Sequence, residues 1–131
     1  VLCGVPLTDM VRYHLVGAGK TWIEEFGTPE DATDFPVLFG LSPYHRVTKG
    51  TKYPAILVTT ADTDDRVDPM HARKLAAMLQ ARSAGGDVLL RIEKNAGHGG
   101  AGLVKTAVKE RADTLAFLMH EVGMDGAAAK R

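Results

Sequence analysis

Apolar residues fall into short strand-like runs and two helical stripes. Ala55 to Val58 is an apolar run that reads as a short buried strand. A polar loop, ADTDDRVDP, follows it. Asp68-Pro69 then opens a helix, with Asp as N-cap and Pro at the first helical position. Ala72, Leu75, Ala76 and Leu79 recur at i, i+3, i+4 and i+7 and form one face of that helix. Arg73, Lys74 and Arg82 fall on the remaining surface and should be solvated. The helix should stop near Ser83-Ala84-Gly85-Gly86, where glycine supplies the stop. DVLLRIE, Asp87 to Glu93, reads as the next strand, and KNAGHGGAG as a loop. A last helix is predicted from Leu103 to Glu121. Its stripe is Leu103, Ala107, Val108, Leu115, Leu118, Met119 and Val122, with Gly123 at its end.

The first half is less regular. Val1 to Val5 is a candidate buried strand ended by Pro6, and Thr8 or Asp9 caps a short helix through Met10, Val11 and Tyr13. Gly17 and Gly19 break that helix. Gly27 to Gly50 reads as a long loop with a helical turn within 31–38, and long connections inside compact domains are often functional. The pattern predicts an α/β fold, with parallel strands joined through a helix by a right-handed crossover. Residues 1–124 form one unit and 125–131 a flexible tail. A chain opening on a bare apolar run, with no polar lead-in, is expected to be a piece of a longer polypeptide.

Composition narrows the function classes. Sixteen basic residues balance sixteen acidic ones, which removes a global electrostatic case for nucleic acid or an anionic membrane. No apolar run approaches spanning length. A single cysteine, Cys3, excludes an internal disulfide and any cysteine-based zinc site.

The crossover gives the pattern its chemistry. Adjacent strands lie about 4.8 Å apart, so their carboxyl ends present two loops side by side. One loop carries Asp62, Asp64, Asp65 and Arg66, and the other carries His98 between glycines. An Asp–His pair there is two-thirds of a hydrolase triad, in which the carboxylate fixes the tautomer of an imidazole that moves the nucleophile's proton. The acid precedes the histidine, as in α/β-hydrolases. The competing reading is that Asp64 and Asp65 cap turns and His98 is an exposed loop residue. The only serines, Ser42 and Ser83, lie in no G-x-S-x-G elbow and read as structural. Cys3 reads as an inert strand thiol. Gly19-Lys20-Thr21 lacks the upstream glycine of a phosphate loop, since His14 occupies that place. No H-E-x-x-H is present, and His14, His45, His71 and His120 read as surface or polar-network residues. Trp22, the only tryptophan, sits in a polar, glycine-flanked segment where a flat ring can wall a ligand site.

Several blocks carry a resemblance across nearly the whole chain: VPLTDMVRYH, the glycine link to TW, SPYH, YPAILVTTADTDDRVDPMHARK and AGHGG. The chain resembles the C-terminal part of the peptidase domain of the prolyl oligopeptidases, serine peptidases that cleave after proline. That resemblance implies a partial α/β-hydrolase fold. It implies Asp64 as the triad acid and His98 as the base. It further implies that Arg66 bonds the carbonyl before the proline and that Trp22 stacks on the proline ring. Val67 and Leu7 match apolar pocket positions, and Phe26 stands where the family often has tyrosine. The implied partners are a proline-containing peptide and the upstream part of the same polypeptide, which would hold the nucleophilic serine, the oxyanion donors and a β-propeller. No cofactor, nucleic acid or membrane is expected. Without its nucleophile the chain alone should be inert. A cytoplasmic setting is the expectation, with the periplasm as the alternative. An acyl-peptide hydrolase, an esterase or a non-catalytic α/β module are the competing readings.

Overall fold

A computed structural model describes residues 1–99 and 104–124 of the chain. The expected tail, 125–131, and the expected first stripe residue of the last helix, Leu103, lie outside the described residues.

Among the described residues three strands form a parallel sheet in the order β1-β2-β3: β1 is Leu2–Gly4, β2 Ile56–Ala61 and β3 Val88–Glu93. Leu57 pairs with Leu2 on one side and Leu89 on the other, so β2 is the centre. Its residues are buried except Thr59, as a central strand covered on both faces requires. β2 extends past the predicted run through Thr59, Thr60 and Ala61. Threonine is β-branched and suits the pleat, so two hydroxyls do not end the strand. β1 is shorter and more open than predicted. Leu2 is 46% exposed, because among the described residues β1 pairs along one edge only.

Helix α4, Met70–Arg82, crosses from β2 to β3 and buries the predicted face, Ala72, Leu75, Ala76 and Leu79. These pack with Val47, Ile56, Val58 and Val88 into the principal core. Truncating a leucine there should cost about 2–5 kcal/mol. Asp68 caps α4 through its carboxylate, which accepts the Met70 amide at 2.8 Å. The glycines after α4 have a different role from the one expected. A Cβ on Gly85 would stand 1.9 Å from the Tyr53 carbonyl oxygen, and one on Gly86 2.6 Å from the Ala55 amide nitrogen. They permit the chain to pass against the lead-in to β2.

Residues 27–50 are more helical than the predicted long loop with one helical turn within 31–38. They hold two short helices, α2 (Asp34–Leu41) and α3 (Pro43–Arg46), after α1 (Ile23–Phe26). The Asp31 carboxylate accepts the Thr33 and Asp34 amides and starts α2, and Pro36 sits in its first turn, where a missing N–H is harmless. The expected helix near Tyr13 is a 3₁₀ turn, Tyr13–Leu15, followed by a second at Gly19–Trp22. Met10, Tyr13 and Leu38 make a second core, with Leu7, Trp22 and Ile23 against it.

The last helix, α5, is Val104–Glu121. Its predicted stripe is largely exposed: Val108 is 62% and Leu115 56% exposed. Phe117 is its buried side chain and lines a cleft with Leu57, Leu89 and Leu90. Periodicity located a face but not the one turned to this sheet. Gly123 ends the helix in a left-handed conformation, and Met124 donates back to the Met119 carbonyl. No helix among the described residues is long and apolar enough to cross a membrane.

Candidate active site

The carboxyl ends of β2 and β3 are stitched to each other beyond the sheet. Asp62 donates its amide to the Glu93 carbonyl at 2.9 Å. Thr63 gives both its amide and its hydroxyl to the Ala96 carbonyl, and the Asp62 carboxylate accepts the Ala96 amide. Asn95, at φ 56°, turns the chain there, a conformation asparagine tolerates. These bonds hold the loop after β2 against the loop after β3, so Asp64 and His98 meet by topology.

His98 Nδ1 lies 2.9 Å from Asp64 Oδ2 and 3.2 Å from Oδ1. The Asp64 side chain is fully buried, and that of His98 is 35% exposed. Asp64 Oδ1 also accepts the Arg66 and Val67 amides, each at 3.0 Å. The turn-capping and imidazole-holding readings of Asp64 thus describe two edges of one carboxylate. Burial by itself would raise the Asp64 carboxyl. The His98 hydrogen bond, the Val67 and Arg66 amides and the charge of His98 outweigh it and hold the group below the usual carboxylate range. An ionised carboxylate only accepts, so Nδ1 carries a proton, and in the neutral tautomer this leaves the lone pair on Nε2. A ring in that state can take a proton from a nucleophile.

The loop is braced from the first half of the chain. Ala18 donates its amide to the Arg66 carbonyl at 3.2 Å. Gly17, at φ 52°, fits where a Cβ would stand 3.0 Å from the Asp65 carbonyl oxygen and 3.1 Å from that of Arg66. Gly17 does more than end a helix: it lets two segments touch. Asp65 stays exposed at the turn.

His98 opens onto a cleft of about 260 Å³ lined by Leu7, Trp22, Glu25, Phe26, Arg66 and Val67. All five residues implied as substrate contacts stand on it, drawn from three separate stretches of sequence. Trp22 ends a 3₁₀ turn rather than lying in an open loop, and it is half-buried. It both packs against the Met10–Tyr13–Leu38 core and faces the cleft, so the core and ligand-wall readings meet in one ring. Glu25 is the lining residue that sequence reading passed over. Its spacing three residues after Trp22 was the available signal.

The second core carries a buried ionic cluster with no signature in the sequence. Asp9 is fully buried and pairs with Lys74, and with Arg12 at 3.3 Å. Lys74 was expected in solvent; the buried carboxylate draws it in, and it lies over the Tyr44 ring. His71 is also buried, and its Nδ1 accepts the Asp9 amide at 3.1 Å. Ser42 is buried too. It gives its hydroxyl to the Thr8 carbonyl, receives the Met10 amide and lies 2.7 Å from His45 Nδ1, a structural place as predicted. Ser83 receives the Gly85 amide at the end of α4. Neither serine is bonded to His98. Among the described residues no group of three or more His, Cys, Asp or Glu could hold a metal ion.

Parallel strands with flanking helices and an Asp–His pair at the carboxyl edge are part of an α/β-hydrolase domain, a partial fold in this chain. Residues 1–125 match the model of the prolyl oligopeptidase family. A prolyl endopeptidase from Elizabethkingia miricola is 46% identical over 123 residues, covering 92% of this chain and 17% of the relative. A solved prolyl endopeptidase superposes with a TM-score of 0.91 at 52% identity, covering 95% of this chain and 19% of that one. A post-proline cleaving enzyme from Rickettsia typhi superposes at 0.86 with 30% identity, over 95% of this chain and 18% of its own. The chain belongs to the prolyl oligopeptidase family of serine peptidases and spans less than a fifth of the length of these relatives.

Proposed function

We propose that this chain supplies the acid, the base and much of the specificity wall of a serine endopeptidase that cleaves peptides after proline. The observation that carries the reading is one cleft holding His98, already bonded to the buried Asp64, beside Trp22, Phe26, Val67, Leu7 and Arg66. His98 Nε2 takes the hydroxyl proton of a serine as it attacks the peptide carbonyl, and Asp64 stabilises the imidazolium. The imidazolium then protonates the departing amine, leaving an acyl-enzyme that water hydrolyses by the same route. Trp22 stacks on the proline ring between Phe26 and Val67. Phe26 keeps that wall apolar but offers no hydroxyl. Arg66 donates to the carbonyl before the proline.

The serine and the oxyanion donors belong to a preceding part of the same polypeptide, together with a propeller domain that covers the site. The 131-residue chain alone is inert on this reading, because acyl transfer requires a nucleophile and an oxyanion site. The test is turnover of a proline-containing fluorogenic peptide by the full-length polypeptide. His98→Ala should abolish it, and Trp22→Ala should erase the preference for proline over alanine. Unchanged turnover in the first variant refutes the base, and an intact preference in the second points to a related hydrolase of other specificity.

A further inference from the structure

Two charges of opposite sign stand on the cleft, and the proposed reaction uses only one of them. Arg66 is anchored by its backbone. Its amide donates to Asp64 Oδ1 and its carbonyl accepts the Ala18 amide. Its guanidinium makes no ion pair with another described residue. Glu25 lies on α1, three residues after Trp22 and adjacent to Phe26, and its carboxylate likewise pairs with no described residue. Glu24 stands beside it in the same helical turn but does not line the cleft. A carboxylate placed only to favour the helix start could occupy either position. The cleft wall distinguishes them.

We infer that Glu25 is a specificity-determining residue that favours substrates with a lysine or arginine side chain directly before the proline. This rests on the post-proline reading of the same cleft. Arg66 holds that residue's backbone carbonyl, and its side chain then leaves beside the same wall. A lysine there meets the Glu25 carboxylate, and a glutamate is repelled by it. Both Glu25 and Arg66 are exposed, so the effect is one of selection between peptides rather than of tight binding.

The experiment compares kcat/KM for blocked Lys-Pro, Ala-Pro and Glu-Pro substrates on the full-length polypeptide. Glu25→Gln is the test variant and Glu24→Gln the control. The unsubstituted protein should prefer Lys-Pro to Glu-Pro. Glu25→Gln should lower that ratio by about fivefold, the scale of a solvent-exposed charge pair. Ala-Pro serves as the uncharged reference, and Glu24→Gln, off the cleft wall, should leave the ratio in place. The preference should also shrink as salt rises, since exposed charges are screened over about 10 Å at 0.1 M. Proline turnover with a ratio that ignores Glu25→Gln, or that moves equally with Glu24→Gln, overturns the role of Glu25 alone. Absence of turnover on every proline substrate overturns the post-proline reading and this inference with it.

Discussion

Asp64→Asn separates catalysis from folding. The substitution keeps the shape of the side chain. Asn Oδ1 can still accept the Arg66 and Val67 amides, which lie 3.0 Å from the Asp64 oxygen, so the turn after β2 should survive. The change falls on the other edge, where His98 Nδ1 now lies 2.9 Å from Oδ2. An amide nitrogen there donates, so the ring must present its Nδ1 lone pair and move the proton to Nε2. That tautomer has no lone pair to offer a nucleophile. The matching change in a serine protease triad lowers kcat by about 10⁴, which is about 5 kcal/mol of transition-state stabilisation. The lost interaction with a partly exposed imidazole should reduce stability by about 1 kcal/mol or less. Asp64→Ala differs, because it strands two backbone amides at about 1–3 kcal/mol each where they are shut from water. The assay is kcat and KM on a proline-containing peptide, paired with thermal unfolding, for the full-length protein and both variants. The expected result is an Asn variant that is folded and nearly inactive. Turnover within tenfold of the unsubstituted protein would refute the tautomer argument.

Two further outcomes concern the scaffold. Burial holds the His71 imidazole below its ordinary range, with Asp9 and Asp68 opposing and Lys74 assisting. A group that is harder to protonate when folded gives stability present above its unfolded value of about 6.5 and lost as pH falls. Burial lowers His45 too, so it adds to the same window. Asp9 and Asp64, both lowered, keep their contribution until the pH falls into the ordinary carboxylate range, about 4, and lose it progressively below that. Denaturant midpoints should therefore decline from near pH 6.5 downwards. His71→Asn, whose oxygen can accept the Asp9 amide, should flatten that limb; an unchanged limb would exclude His71 as its source. Gly19→Ala should destabilise the protein by about 2–3 kcal/mol, because a Cβ there would stand 1.8 Å from the Tyr13 carbonyl oxygen. Gly40→Ala, in open space on α2, should be neutral or add about 0.5 kcal/mol. Equal midpoints for the two variants would contradict the close-approach argument.

Residues and spacing alone determined the β2–α4–β3 unit, the buried face of α4 and the loops that carry Asp64 and His98. Apolar periodicity is local information, and a helix between two strands leaves them parallel, so the meeting of those loops follows from topology. The family blocks then singled out Trp22, Phe26, Leu7, Arg66 and Val67, whose presence on one cleft no periodicity could give. Tertiary structure alone decided the rest. Which face of α5 turns to the sheet depends on what packs there, and Phe117 is buried rather than the longer apolar stripe. Lys74 lies on the polar side of α4, yet Asp9, distant in sequence, draws it into an ion pair. Gly17 and Ala18 brace the Arg66 turn through a contact between segments nearly fifty residues apart. Packing and buried charge are properties of pairs of segments, and one segment's sequence does not contain its partner.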